Sequence, residues 1–140
     1  MKAVWELVKV CLGAIGGTLS WYFGNFDGLF IALLGFILAD YITGLVLAYH
    51  RKELSSEQGF KGFLKKCVVL LIVGIANLLD VYVIKMNMAL RSGVIVYYLA
   101  NEGLSILENS AQLGLPIPEK LKETLAQLHN KENKENGDSN

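Results

Sequence analysis

The chain has 140 residues, enough for one domain, and 53% of them are hydrophobic against 19% charged. Thirteen basic side chains balance thirteen acidic ones, so the electrostatic footprint of a nucleic-acid binder is missing. The mean hydropathy of +0.40, concentrated in long apolar runs, excludes an ordinary soluble domain and predicts an all-α integral membrane protein.

The first apolar segment spans residues 7–23. Gly13, Gly17, Ser20 and Gly24 recur along it at steps of three or four, a small-residue stripe that lets helices approach closely in lipid. The partner is either another helix of the same chain or a second subunit. Trp5, Trp21 and Tyr22 lie near its ends, where amphipathic rings prefer the headgroup level, and Lys9 is close enough to one end to snorkel. Gly24–Gly28 has the composition of a tight turn and joins this helix to the next as a hairpin.

Residues 29–49 form the second segment, with Asp40 as the one charge near its middle. An acid at mid-membrane is costly, which makes Asp40 a functional candidate. Ala32, Phe36, Asp40, Gly44 and Ala48 share an i, i+4 stripe, a face turned to protein or water and away from lipid.

Residues 50–66 hold Arg51, Lys52, Lys61, Lys65 and Lys66 against Glu53 and Glu57. A short basic loop between two spans marks the cytoplasmic side. Ser55 to Gln58 reads as the cap of a short interfacial helix with Phe60, Phe63 and Leu64 on its membrane side.

The third segment, 67–84, carries Asn77 and Asp80 on one face. Asp80 either snorkels to the interface or belongs to a polar site. Lys85 to Ser92 is a connector carrying Arg91 on the far side of the membrane. The fourth segment, 93–109, gathers Asn101, Glu102, Ser105, Glu108 and Asn109 into about a third of its circumference. It spans only if that face meets water or other polar helices, and otherwise lies in the interface. The total is therefore three or four spans within a membrane domain of residues 1–115. Pro118 opens an amphipathic helix with Leu121, Leu125 and Leu128, within residues 116–130. Residues 131–140 hold no apolar side chain and are expected to be disordered. Placing the basic loop inside makes both termini cytoplasmic in the four-span arrangement.

No nucleophile–base constellation, phosphate loop or metal-ligand spacing is present. Cys11 and Cys67 read as separate buried thiols, and His50 and His129 as solvated side chains. No enzyme activity, cofactor or metal is expected. The expected partners are the lipid bilayer and further copies of the chain, because four short helices with small or polar faces cannot hide all those faces in one monomer.

Asp40-x-x-Thr43-Gly44-x-x-x-Ala48 is followed by Ser55, Gly59 and Gly62, then Lys65-Lys66, an apolar helix ending in Asp80, and Asn101-Glu102-x-x-Ser105-x-x-Glu108-Asn109 ahead of Gly114-x-Pro116-x-Pro118. Over about residues 28–125 this resembles the toxin-secretion/phage-lysis holin family of Gram-positive bacteria and their phages. The resemblance implies a non-enzymatic pore-former of the bacterial cytoplasmic membrane. Its lesions would release an endolysin or a toxin as cargo without binding it. Two other readings of the residues stand beside it: a small ion or proton channel or transporter subunit using the intramembrane carboxylates, and a membrane anchor or scaffold with the charged tail as its handle.

Overall fold

The computed structural model describes residues 1–137, which form helices joined by short turns, without a strand among the described residues. The helices are α1 (Lys2–Phe23), α2 (Gly28–His50), α3 (Ser56–Leu78), α4 (Ala89–Gln112) and α5 (Glu119–Gly137). A π-helical segment, Leu79–Ile84, continues α3 without a break. Three helices are long and apolar enough to cross a membrane: α1, α2, and α3 with its π-helical end, 29 residues together.

Local chemistry sets the helix starts. Asp27 accepts the amide of Phe30 at 2.9 Å and caps α2, and Ser55 accepts the amide of Gln58 at 3.2 Å and caps α3. The Ser55 cap was expected to open a short interfacial helix. Instead it opens α3 itself, because neither the glycines nor Lys65-Lys66 interrupt the helix. Lys61, Lys65 and Lys66 therefore stand on a helix, and only Arg51 and Lys52 belong to the turn.

The bundle is α2, α3 and α4, with α2 and α4 the most extensive pair. Each helix turns a line of positions inward with alternating steps of three and four. On α2 the line is Phe30, Leu33, Ile37, Asp40, Gly44 and Leu47; on α3 it is Gly59, Gly62, Lys66, Val69, Val73, Ala76 and Asp80; on α4 it is Arg91, Ile95, Tyr98, Glu102, Ser105 and Asn109. A mean step of 3.5 is the repeat that keeps helices in contact along their length. None of the i, i+4 stripe expected to face protein or water on α2 is exposed, though only Asp40 and Gly44 lie on the inward line. Steps of four drift round the helix by about 40° each, so Ala32 and Phe36 fall beside the inward line. The apolar core is Phe30, Leu33, Ile37, Val69, Val73 and Ile95.

Helix α1 has no buried residue and packs mainly on α3, touching α2 and α4 only through Phe23, whose ring stacks on Phe30 and whose carbonyl accepts from Arg91. The seam lies at its C-terminal end. Tyr22 rests on Gly74, where any Cβ would collide with the ring, and its hydroxyl donates to the Leu71 carbonyl at 3.0 Å. Asn77 donates to the carbonyls of Trp21 and Tyr22 at 3.2 and 3.1 Å, and Trp21 donates from Nε1 to the Tyr82 hydroxyl at 2.8 Å.

Helix α4 begins at Ala89, so Arg91 belongs to it and not to a connector. Helix α5 runs antiparallel along α4. Leu125 is buried where a Cβ on Gly103 would come within 2.8 Å of it, and His129 stacks on Tyr97 with ring centroids 5.2 Å apart. His129 is thus a packed side chain, contrary to its reading as solvated. The helix also continues beyond Asn130, where disorder was expected. Glu and Lys propagate a helix that is already nucleated, so the lack of apolar residues did not end it at Lys131. The last three residues of the expected disordered tail lie outside the described residues.

Candidate functional site

Two polar layers lie inside the bundle, on either side of the apolar core. The first is built by one residue from each inward line: Asp40 of α2, Lys66 of α3 and Glu102 of α4. The Lys66 ammonium donates to Asp40 Oδ2 at 2.5 Å and to Glu102 Oε2. The three side chains are 10, 18 and 3% exposed respectively. Asn109 donates to Asp40 Oδ1 at 3.3 Å and to Thr43 Oγ1 at 3.1 Å. A buried carboxylate is tolerable only when paired and hydrogen-bonded, and Lys66 and Asn109 supply those partners. Two carboxylates against one ammonium leave one negative charge in excess when all three are ionised. A groove of about 470 Å³ reaches this layer, bordered by Gly44, Ala48, Gln58, Gly62, Ser105 and Asn109 among others.

The second layer lies near the other end of α2. It is about 16–20 Å away, counting 11 residues along α4 and 13 along the chain towards the start of α2 at 1.5 Å per residue. Arg91 is fully buried at 0% exposure. Its guanidinium donates to the Phe23 carbonyl (2.7 Å), the Asn25 carbonyl (2.7 Å) and Asp27 Oδ2 (2.8 Å). These bonds tie α4 to the α1–α2 turn. Asp80 is also buried. It accepts the Arg91 amide at 2.7 Å and the Leu90 amide at 3.3 Å, serving as the cap that the first turn of α4 lacks locally. Gly24 closes this layer at φ +78°. A Cβ there would strike Asn77 Oδ1 and Arg91 Nε, so both backbone and space demand glycine.

Asp27 titrates within this layer. Burial raises its carboxyl, but the Phe30 amide and the Arg91 guanidinium outweigh that and hold it below the ordinary value of 3.8. A carboxyl depressed on folding contributes stability that is whole above the ordinary value and lost as pH falls through the depressed one. Thermal stability of the detergent-solubilised protein is therefore expected to fall on acidification below about pH 4, and Asp27→Asn is expected to flatten that part of the profile.

The structure gathers Asp40, Gly44, Glu102, Ser105 and Asn109 of the sequence candidates at one layer and sends Asn77 and Asp80 to the other end. Asn101 is exposed at the rim of the groove that reaches the first layer, and Glu108 is exposed on the outside. Gly13 and Gly17 meet nothing within 4 Å and Ser20 is exposed, so that part of the stripe is open, whereas Gly24 at its end packs against Asn77 and Arg91 within the monomer. Of the basic residues, Lys61 is exposed and pairs with Glu57 at 2.7 Å, whereas Lys66 is drawn into the bundle. The partners that sequence reasoning missed are Lys66, Arg91 and Asp27. The available signal was the 3–4 repeat: counted back from Asp80 it reaches Lys66, and counted back from Glu102 it reaches Arg91. Among the described residues no His, Cys, Asp or Glu cluster is suited to a metal ion, and both cysteines are free.

Long apolar helices enclosing paired charges define a helical membrane-embedded protein. A model of the bacteriophage holin family matches residues 17–130. An uncharacterized 14.9 kDa protein of Clostridium perfringens is 40% identical over 94% of this chain and 99% of its own length. A Listeria innocua protein is 41% identical over 83% of this chain and 82% of its own. A probable holin of Bacillus phage phi105 is 41% identical over 58% of this chain and 59% of its own. No solved structure matches. The chain belongs to the bacteriophage holin family, which implies a non-enzymatic membrane protein.

Proposed function

We propose that the protein is a holin that assembles in the bacterial cytoplasmic membrane into lesions through which an endolysin or a toxin passes. The observation that carries this reading is the buried polar layer Asp40–Lys66–Glu102 between helices whose outer faces are apolar. Such a bundle hides in one arrangement the groups that could meet water in another. The open Gly13/Gly17 stripe of α1 supports self-assembly, since small residues on an unpartnered helix permit close contact with a second copy.

Four crossings fit the packing best. Arg91 pairs with Asp27 at one end of α2, and Asn109 with Asp40 and Thr43 towards the other, so α4 runs along much of α2. With Arg51 and Lys52 inside, the start of α1 and the α4–α5 turn are then cytoplasmic, and α5 runs back along α4 from that side.

The test is inducible expression in a bacterium, following membrane potential and culture density with and without a cytoplasmic endolysin. Abrupt depolarisation, with lysis only when endolysin is present, is the expected result. Steady growth, or a slow ion leak without endolysin release, would reject the lesion and favour a channel or an anchor.

A further inference from the structure

The outer surface of the bundle is two-sided. Helices α1, α2 and α3 display large apolar side chains along their outward faces, among them Leu12, Ile15, Leu38, Ile42, Leu71 and Ile75. Helix α4 displays none: among the described residues, the exposed large hydrophobics stop at Met86 and resume at Leu115. What α4 turns outward is Asn101, Glu108 and Gln112, at spacings of seven and four on one stripe. Helix α5 packs on the flank next to that stripe, at Gly103 and Tyr97, while Asn101 borders the groove with Lys65 of α3. Leu125 on Gly103 and His129 on Tyr97 hold α5 at the depth of the core and of the Glu102 layer, well inside the length of α2. Around those anchors Lys122, Glu123, Gln127, Asn130 and Lys131 are exposed. Hydrocarbon does not accept such a row of charges, and only water at that depth would leave α5 docked.

We infer that the α4–α5 side of each subunit faces the aqueous lumen of the lesion, with α1, α2 and the outer face of α3 towards lipid and neighbouring subunits. The inference rests on the lesion-forming reading and assigns to it a lining surface. It puts the polar groove beside the lumen and explains how a helix as polar as α5 stays packed at mid-bundle. It also gives α4 its place: too polar outside for lipid, it closes the bundle on the water side.

Single cysteines test it in the full chain with Cys11→Ser and Cys67→Ser, a background first checked for wild-type depolarisation. Asn101→Cys and Gln127→Cys report the proposed lining, and Ile42→Cys and Leu71→Cys the lipid side. A membrane-impermeant, charged maleimide is added outside the cells before and after depolarisation. Asn101→Cys and Gln127→Cys are expected to react about tenfold faster or more after onset, while Ile42→Cys and Leu71→Cys stay unreactive, because the thiolate that reacts forms in water and not in hydrocarbon. Equal protection of all four after onset, or labelling of Ile42→Cys and Leu71→Cys instead, overturns the assignment. Failure of the lesion itself shows in the same culture as absent depolarisation. In that case the same positions, spin-labelled in liposomes, still decide: preferential access of a water-soluble nickel chelate at positions 101 and 127 supports the assignment, and preferential access of oxygen there overturns it.

Discussion

Arg91→Met is expected to be among the most damaging single substitutions in this protein. The methionine fills most of the arginine's volume but offers no donor, so it strands the carbonyls of Phe23 and Asn25 and removes the cation beside Asp27. Breaking a buried ion pair by removing one partner costs about 3–5 kcal/mol, and the orphaned carbonyls add to that. Asp27 is itself partly exposed and can rehydrate, which places the net loss near the lower figure. A loss of that size corresponds to a drop of roughly 10 °C in melting temperature for a chain of this length. Arg91→Lys is expected to recover less than half, because an ammonium has no planar fork to reach three acceptors in fixed directions. Thermal unfolding in detergent, followed by near-ultraviolet circular dichroism, measures both. An Arg91→Met protein melting like wild type would mean that the α1–α2 turn holds without its strut.

Lys66→Met is expected to have a comparable effect at the other layer, with a telling partner. It leaves Asp40 and Glu102 facing each other without a cation, again a loss of about 3 kcal/mol or more. Glu102→Gln changes the same cluster in the opposite sense, since one carboxylate then matches one ammonium and the amide oxygen still accepts from Lys66. Melting temperature is expected to fall by several degrees for Lys66→Met and to hold or rise for Glu102→Gln. The double variant, with one lone carboxylate, is expected to melt above the sum of the two single changes, because neutralising Glu102 relieves more once no cation faces it. Equal loss in both single variants would mean that packing at these sites outweighs charge balance.

These two layers also mark where sequence reasoning succeeded and where it stopped. Asp40, Glu102 and Asn109 were legible as candidates because a polar residue in an apolar run carries its own cost. Their cation was not. Lys66 stands beside Lys65 at the edge of an apolar run, and local composition reads both as surface charge. Only α2 and α4, supplying one acid each, make the interior a tolerable place for it. Arg91 was hidden for the same reason: its acceptors are backbone carbonyls of a turn far away in the chain, and backbone groups leave no mark in a sequence.

The sequence by itself determined the helical membrane character, the capping residue of α3 and the family. Those follow from hydropathy, capping chemistry and the Asn101–Pro118 stretch, each a property of residues close together in the chain. Tertiary structure alone decided which charges are paired, that the Gly13/Gly17 stripe stays open while Gly24, Gly74 and Gly103 are filled against, and that α5 folds back along α4. Each of those depends on which faces meet. A helix's own periodicity narrows the faces it offers, but the partner on the other side of the contact comes only with the packed bundle.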